Sequence, residues 1–284
     1  MSEKKAWLVV NGYYTGKSYA YQIARFRKEL EKKGIKAFVY ENKYPVSDET
    51  MFDCDFALFL DKDVCLAMLM EQKGVKVFNA SAAIENADNK ARTAALLSGA
   101  GLRQQKTIFR PKRYAYDRPD AAFLQRVGEE LGFPLVAKAA CGSLGEQVYL
   151  INNERELTAI DATLAENDGL YQAYRKTSVG KSYRVIVIGD EVVGACLLTT
   201  ENDFRSNAHN GGKGTCVELP ECFVDAALKA AKKLGLCYCG VDLFTDEPVV
   251  IEVNGNAFFD EFEKQTGINV AKRYVEYVVS KVYD

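Results

Sequence analysis

The sequence of 284 residues has a single histidine, His209, and no pair of cysteines in a Cys-x-x-Cys spacing. Structural zinc sites combine closely spaced cysteines and histidines, so the sequence excludes a zinc-finger type of scaffold. The eight cysteines are scattered along a chain too long to need a disulfide framework. We expect reduced thiols that pack as small hydrophobic side chains.

A long hydrophobic run is also lacking. The first five residues are mainly polar, and only five residues of strand-like character follow them. This run is too short for a signal-peptide core or a membrane span, and no later run approaches membrane length. We therefore expect a cytoplasmic protein with no membrane partner.

The chain has no surplus of positive charge. Lysine and arginine number 37, and aspartate and glutamate 39, which gives a net charge of −2. Binding to a phosphate backbone draws on surplus positive charge, so we expect no nucleic-acid partner. The composition, with 48% hydrophobic and 27% charged residues, is that of a globular protein of about two domains.

Strands and helices alternate in the N-terminal third of the chain. Apolar runs predict strands, and apolar periodicity predicts helices. The segments, in chain order, are strand 6–10, helix 19–33, strands 36–40 and 56–60, helix 64–72 and strand 75–78. This order predicts a parallel sheet with covered faces, typical of the α/β class.

Residues 12–18, Gly-Tyr-Tyr-Thr-Gly-Lys-Ser, follow a strand and precede a helix, as a phosphate-binding P-loop would. That motif needs four residues between its glycines, and here there are three. Because the ring of backbone N–H groups depends on loop length, we interpret the segment as a glycine-rich turn. A P-loop enzyme or small-molecule kinase is kept as an alternative.

A lysine and a small-residue loop occur together further along. Lys138 lies in an apolar strand, and Gly142, Ser143 and Gly145 follow it in a loop. Glycines let the backbone approach an anion closely, and an unpaired buried lysine is costly. A bound phosphate accounts for both features. The alternative is a flexible hairpin whose lysine reaches solvent.

Two strands joined by a short turn are predicted over residues 240–254. With a turn at 246–248, Asp242 faces Glu252, and Asn254 points to the same side. Opposed carboxylates repel unless a proton or a cation lies between them, and an all-oxygen set suits Mg²⁺. The alternative is the exposed polar face of an ordinary hairpin.

Two further segments carry candidate residues. A hairpin is predicted over residues 181–198, with Arg184 as a charge inside an apolar strand that needs a partner. The polar, glycine-rich connection that follows carries Arg205, Asn207 and His209. A plain surface loop is the alternative there, and His209 is interpreted as a hydrogen-bonding loop residue.

In this order the segments resemble the ATP-grasp superfamily, and within it the RimK/LysX-type carboxylate–amine ligases. The resemblance runs from about Asn79 to the C-terminus. The matching segments are 132–138 with the glycine loop, 189–190 with its flanking strands, 203–207 with 211–212, 240–242 and 252–254. It implies an ATP-grasp fold of the α/β (α+β) class, preceded by a parallel α/β domain at 1–87. The lid subdomain would span 88–170, and the subdomain with the Mg²⁺ site 171–284.

The resemblance also implies roles for single residues. The implied metal ligands are Asp242, Glu252 and Asn254. The implied nucleotide contacts are Lys90, Lys138, Gly142, Ser143, Gly145, Asn207 and, in the strand that lines the adenine pocket, Tyr171, Gln172 and Tyr174. The residues implied to face the reacting phosphate or the acceptor carboxylate are Arg184 and Arg205, with Lys138 neutralising phosphate charge.

The sequence departs from the family pattern at three positions. Ser182 stands where an aspartate is usual, Leu198 where relatives often have an arginine, and Ala173 where the adenine strand usually has an acidic residue. These changes bear on the identity of the substrate and, to a smaller degree, on the nucleotide contacts, and they leave the metal and phosphate sets intact.

The implied reaction joins a carboxylate to an amine such as glutamate. The carboxylate attacks the γ-phosphate of ATP, and the amine displaces phosphate from the acyl phosphate. The resemblance implies ATP and two Mg²⁺ ions, with Mn²⁺ as an alternative, and a homodimer or homotetramer. Phosphoryl transfer of this kind needs no catalytic histidine or cysteine. The other reading is a non-catalytic module that binds Mg-ATP.

Overall fold

The N-terminal part of the chain forms a parallel sheet of four strands in the order β2-β1-β3-β4. The computed structural model describes residues 3–113, 118–142, 145, 147–164, 168–201, 203–205 and 213–284. The first elements are β1 (Lys5–Val10), α1 (Lys17–Lys32), β2 (Lys36–Glu41), β3 (Phe56–Phe59), α2 (Val64–Gln72) and β4 (Lys76–Phe78). The predicted parallel sheet is confirmed.

An antiparallel sheet, in the order β5-β8-β6-β7, occupies the middle of the chain. The elements that lead into it and build it are α3 (Ser81–Asp88), α4 (Lys90–Ser98), β5 (Thr107–Phe109), α5 (Ala121–Leu131), β6 (Leu135–Ala139), β7 (Val148–Ile151), α6 (Glu154–Thr163) and β8 (Gly169–Ala173). α5 and α6 cover one face, where a hydrophobic cluster includes Leu124, Leu157 and Tyr171.

A second antiparallel sheet, in the order β11-β10-β9-β12-β13, forms the C-terminal part. Its elements are β9 (Lys181–Ile188), β10 (Glu191–Thr199), β11 (Lys213–Val217), α7 (Glu221–Leu234), β12 (Tyr238–Leu243), β13 (Val250–Asn254), α8 (Asp260–Thr266) and α9 (Val270–Tyr283). α9 returns to the N-terminal unit and packs on α1, where Phe26 and Tyr274 meet edge to face at 5.5 Å.

A break at residue 89 separates α3 from α4, and the Asn89 side chain accepts a hydrogen bond from the Arg92 N–H and caps α4. The structure differs from the expected organisation at one boundary. The expected division between residues 170 and 171 falls inside β8, which pairs with β5 and β6. The middle sheet therefore extends at least to Ala173.

No helix in the described part of the chain combines the length and the hydropathy needed to cross a membrane.

A buried charged network holds the middle sheet to its helices. Asp161 on α6 accepts hydrogen bonds from the Arg110 Nε atom at 2.8 Å and from the Tyr171 hydroxyl at 2.6 Å. The Arg110 side chain is 3% exposed and that of Asp161 is fully buried. Since both charges are out of water, their pairing is needed to offset desolvation.

Asp161→Ala should therefore lower the free energy of unfolding by about 3–5 kcal/mol, because the buried guanidinium loses its carboxylate. Urea denaturation followed by circular dichroism measures the loss. The matched control is Asp225→Ala, which removes an exposed partner of Lys229 one helical turn away and should cost at most about 0.5 kcal/mol. Equal losses in the two variants would contradict the proposed weight of the buried network.

Candidate active site

A cavity of about 680 Å³ lies where the three sheets meet. This volume is in the range of sites for drug-sized ligands, roughly 300–1,000 Å³. Each part of the chain supplies a wall. The polar lining residues include Asn11 and Asp61 from the N-terminal sheet, Lys90 from α4, Lys138 and Gln172 from the middle sheet, and Arg184, Glu252 and Asn254 from the C-terminal sheet.

Lys138 on β6 brings a buried positive charge to this cavity. Its side chain is 8% exposed, and in the described part of the chain no carboxylate oxygen lies within 4.0 Å of its ammonium. Burial lowers the pKa of Lys138 to about 8; Glu252 attracts the charge, and Lys90 repels it. Lys90 lies near the start of the glycine loop, where its Nζ donates to the Gly142 carbonyl at 3.0 Å. The two lysines therefore form a basic end of the cavity.

The predicted metal set assembles on β12 and β13. Asp242 lies directly opposite Glu252 in the antiparallel register, which confirms the predicted pairing. Glu252 and Asn254 line the cavity, and the Asn254 amide donates to a Glu252 oxygen at 3.2 Å. Asp242 is 2% exposed and lies behind the cavity wall. Two carboxylates and an amide are thus collected by one pair of strands.

Arg184 on β9 holds the Asp242 carboxylate with both arms of its guanidinium, including a contact of 2.7 Å from Nη2 to Oδ2. Gly240 makes room for this arrangement, since a Cβ there would lie 3.0 Å from the Arg184 Cδ and 2.7 Å from the Ala257 Cβ. The charge that the apolar strand carries is therefore paired, as the sequence required. Arg184 also lines the cavity, so its side chain connects the buried carboxylate to the open space.

The electrostatics of the carboxylates fit a divalent cation. Burial raises the pKa of Asp242 to about 6 against the attraction of Arg184, and the opposed Glu252 raises it further. Although burial favours the neutral acid, Lys90 and Arg184 hold the pKa of Glu252 below its usual value. A cation between the two groups would remove their repulsion, and the all-oxygen donor set matches the preference of Mg²⁺.

Arg205 does not line the cavity, but it contacts the glycine loop. Its Nη1 donates to the Gly145 carbonyl, and its Nη2 pairs with Asp203 at 2.7 Å. Because Arg205 follows β10 and Gly145 follows β6, this contact ties the loops of two sheets together. The predicted nucleotide contacts Ser143 and Asn207, and also His209, lie outside the described residues.

The side chain of Tyr171 corrects the expectation for the adenine strand. Successive side chains of β8 alternate between faces. Leu170 and Gln172 line the cavity, whereas Tyr171 is fully buried on the opposite face with its hydroxyl on Asp161. Tyr174 lies beyond the strand and packs edge to face on Phe204, with ring centroids 6.4 Å apart, and it does not line the cavity.

Gln172 is the member of the adenine strand that faces the cavity. It is 6% exposed, and its Nε2 donates to the Thr107 hydroxyl at 3.0 Å. Its Oε1 is buried with no hydrogen-bond partner among the described residues. A buried acceptor of this kind calls for a donor from a ligand. The apolar part of the cavity, which includes Leu97, Val148 and Leu170, carries no motif and was not predicted.

Two of the departures from the family pattern are neighbours in space. The β9–β10 register places Leu198 directly opposite Ser182, and both are buried, at 7% and 1% exposure. In place of the aspartate and the arginine that the family resemblance implies, this chain has a hydroxyl and an aliphatic group on the same face. The two changes therefore alter one local environment and leave no unpaired charge behind.

Backbone N–H groups of the P-loop-like segment 12–18 donate to acceptors within the protein. The N–H groups of Gly12 and Tyr13 donate to the side chains of Asn42 and Asn11, and the N–H of Tyr14 donates to the Asn11 carbonyl. These amides are not available to surround a phosphate. Tyr14 and Ser18 of this segment line the cavity, whereas Lys17 does not.

Comparisons with known proteins agree with this geometry. The family model described as a RimK-like ATP-grasp domain matches residues 87–278. An uncharacterised protein of Mycoplasma pneumoniae is 34% identical over 212 residues, which cover 72% of this chain and 73% of the relative. A probable alpha-L-glutamate ligase of Legionella pneumophila is 33% identical over 217 residues, covering 75% and 70%.

Among solved structures, a RimK domain ATP-grasp protein from Sphaerobacter thermophilus superposes with a TM-score of 0.73. The superposition covers 97% of this chain and 99% of that structure at 18% sequence identity, so it bears on the fold alone. It confirms the expected α/β (α+β) ATP-grasp architecture. The family model spans most of the chain and includes the strands that carry Lys138, Arg184, Asp242 and Glu252. This chain belongs to the RimK-like ATP-grasp family.

Proposed function

We propose that the protein is an ATP-dependent carboxylate–amine ligase that forms an amide through an acyl phosphate and releases ADP. One observation carries the proposal. Lys138 is buried with no carboxylate oxygen within 4.0 Å among the described residues, and it lines the same cavity as Glu252, which faces the buried Asp242. Mg-ATP bound between the two antiparallel sheets, with its phosphates at Lys138 and Lys90 and its cation at the carboxylates, would satisfy both groups.

The phosphate end is built to neutralise charge. Lys138 and Lys90 lie beside the glycine loop and would contact the phosphate oxygens. Phosphoryl transfer depends mainly on positioning and charge neutralisation, so these cations act without forming a covalent bond. Arg205, through its contact with Gly145, would hold the loop over the phosphates and exclude water. We propose Gln172 as an acceptor for a donor group on the base.

Asp242, Glu252 and Asn254 are the residues that would hold Mg²⁺, with two ions or Mn²⁺ as further predictions of the family resemblance. When bound, the cation neutralises phosphate charge as it builds up during transfer. Arg184 keeps Asp242 oriented in the absence of the cation, because its two hydrogen bonds fix the carboxylate plane. Asn254 supports Glu252 in the same way through its amide.

The bonds change in two steps. An oxygen of the substrate carboxylate forms a bond to the γ-phosphorus of ATP while the bond to ADP breaks. The nitrogen of the amine then forms a bond to the acyl carbon, phosphate leaves, and the nitrogen loses a proton. The name of the Legionella relative makes glutamate our first choice of amine. We propose that the protein is a cytoplasmic homodimer or homotetramer. We also propose the divisions 1–87, 88–170 and 171–284, with the boundary at 170 moved to the end of β8 so that the middle division contains the whole strand.

The first prediction concerns products. With Mg²⁺ and a panel of amino acids and carboxylates, the protein should release ADP and phosphate together with an amide, read by coupled ADP release and mass spectrometry. Accumulation of AMP would contradict the acyl-phosphate route. Tight Mg-ATP binding with no ADP release across the panel would instead favour the non-catalytic module, the alternative that the Ser182 and Leu198 positions motivate.

The second prediction concerns the metal set. Asp242→Asn keeps the shape of the side chain but removes its charge, so we expect at least a hundredfold loss of turnover with a folded protein. The Mg²⁺ concentration needed for half-maximal Mg-nucleotide binding should rise as well. Asp225→Asn, at an exposed helical position, is the matched control and should leave both values unchanged. Normal turnover in the Asp242→Asn variant would show that Asp242 does not belong to the metal site.

The third prediction concerns pH. Because burial lowers the pKa of Lys138 to about 8, the ammonium is lost as the pH rises through that value. The protonated form of Lys138 attracts the phosphates of ATP, so the affinity of the protein for ATP should fall by about tenfold between pH 7 and pH 9. Calorimetric titration with ATP measures it. Lys138→Arg stays charged over this range and should show a much flatter profile. The same slope in both proteins would exclude Lys138 as its cause.

A further inference from the structure

One wall of the cavity is supplied by the N-terminal sheet. In the order β2-β1-β3-β4, β2 and β3 flank β1 on opposite sides. Ligands of open parallel sheets bind in the crevice outside the carboxyl ends of the strands where the order reverses. Asn11 follows β1 and Asp61 follows β3, and both line the cavity. We call the part of the cavity that Asn11 and Asp61 line the switch-point pole.

Asp61 brings an unpaired negative charge to the switch-point pole. It is 9% exposed, and its two oxygens accept hydrogen bonds from the amides of Asn11 at 3.1 Å and Asn42 at 2.6 Å. Both donors are neutral. The neighbouring Lys62 pairs with Asp88 instead, and within the described residues no lysine or arginine nitrogen lies within 4.0 Å of the Asp61 carboxylate. Burying a carboxylate without a cation is costly, so this charge calls for a counter-ion.

Asn256 adds an unused acceptor at the same place. Its Nδ2 donates at 2.8 Å to the carbonyl of Leu60, the residue next to Asp61. Because that carbonyl can only accept, the orientation of the amide is fixed and its Oδ1 must point elsewhere. Oδ1 is buried with no hydrogen-bond partner among the described residues, and Asn256 lines the cavity. The pole therefore offers two acceptors, the Asp61 carboxylate and the Asn256 Oδ1.

Aromatic rings form the remaining wall of the pole. Tyr14, Tyr19 and Phe258 all line the cavity. The rings of Tyr14 and Phe258 are parallel within 3° with centroids 6.2 Å apart, and Tyr19 lies 6.0 Å from Phe258. Burial raises the pKa of Tyr19, and the charge of Asp61 raises it further, so the phenol stays neutral. Faces of neutral aromatic rings attract organic cations.

We propose that the switch-point pole binds the ammonium group of an amino-acid substrate. Asp61 supplies the counter-charge, the Asn256 Oδ1 accepts an N–H bond, and the rings surround the cation. This inference rests on the proposed function, because it places the amine substrate of that reaction. Asn256 is two residues beyond Asn254, so their Cα atoms are at most about 7 Å apart. An amino acid held at the pole therefore lies within reach of the metal set proposed at Asp242, Glu252 and Asn254.

Calorimetric titration tests the subsite without turnover. The protein, saturated with Mg²⁺ and a non-hydrolysable ATP analogue, is titrated with L-glutamate and L-alanine and with glutarate and propionate, which lack the amine. We expect each amino acid to bind at least tenfold more tightly than its partner. Asp61→Asn should remove this difference and leave nucleotide affinity unchanged. Asp48→Asn, an exposed residue outside the cavity lining, is the matched control.

A second variant tests the subsite in case Asp61→Asn does not fold. Tyr14 is 38% exposed, so Tyr14→Leu removes one ring from the pole with little cost to the fold; it should weaken the amino acids several-fold and leave the two acids unaffected. Equal binding of amino acids and acids by the wild type, no binding of any probe, or unchanged amine preference in folded Asp61→Asn would overturn the subsite. Nucleotide binding and ADP release are measured separately, so the ligase proposal can stand when the subsite fails.

Discussion

The structure depends on a buried charge, that of Lys138, which has no carboxylate oxygen within 4.0 Å in the described part of the chain. Lys138 projects from a strand whose other residues are apolar, and it is 8% exposed. A protein that keeps such a group gives up stability, because the attraction of Glu252 offsets only part of the cost of burying the ammonium. The arrangement is reasonable only where a ligand brings the opposite charge. The glycine loop, Lys90 and the carboxylates of β12 and β13 are arranged around that requirement.

The cavity is lined by groups of both signs. Lys90, Lys138 and Arg184 bring positive charge to it, and Asp61 and Asn256 present oxygen acceptors. The three sheets that enclose it differ in kind: a parallel sheet supplies the carboxyl ends of strands, and two antiparallel sheets supply facing side chains. A substrate with an anionic and a cationic end would be oriented by these charges before any step of the reaction.

Much of the site could be predicted because strand periodicity is strict. The pairing of Asp242 with Glu252 followed from a turn and a period of two, and the structure confirms it. The same rule explains the error at Tyr171: a strand known from a family pattern does not reveal which face is the cavity, and one position decides it. Helices α3 and α8 and strand β11 were missed, since short elements with weak periodicity depend on tertiary packing. The position of Asp61 at the switch point could not be predicted, because it depends on the strand order, which the sequence alone does not give.

The most direct test of the role of Lys138 measures its effects on stability and on Mg-ATP binding together. Lys138→Met replaces the buried ammonium with an apolar chain of similar length. Thermal denaturation, with and without saturating Mg-ATP, is compared with the wild type. The variant alone should melt a few degrees higher, because a buried charge is gone, and it should lose the rise in Tm that Mg-ATP gives the wild type. A variant that melts lower without ligand, or that keeps the full rise with Mg-ATP, would contradict the central role assigned to Lys138.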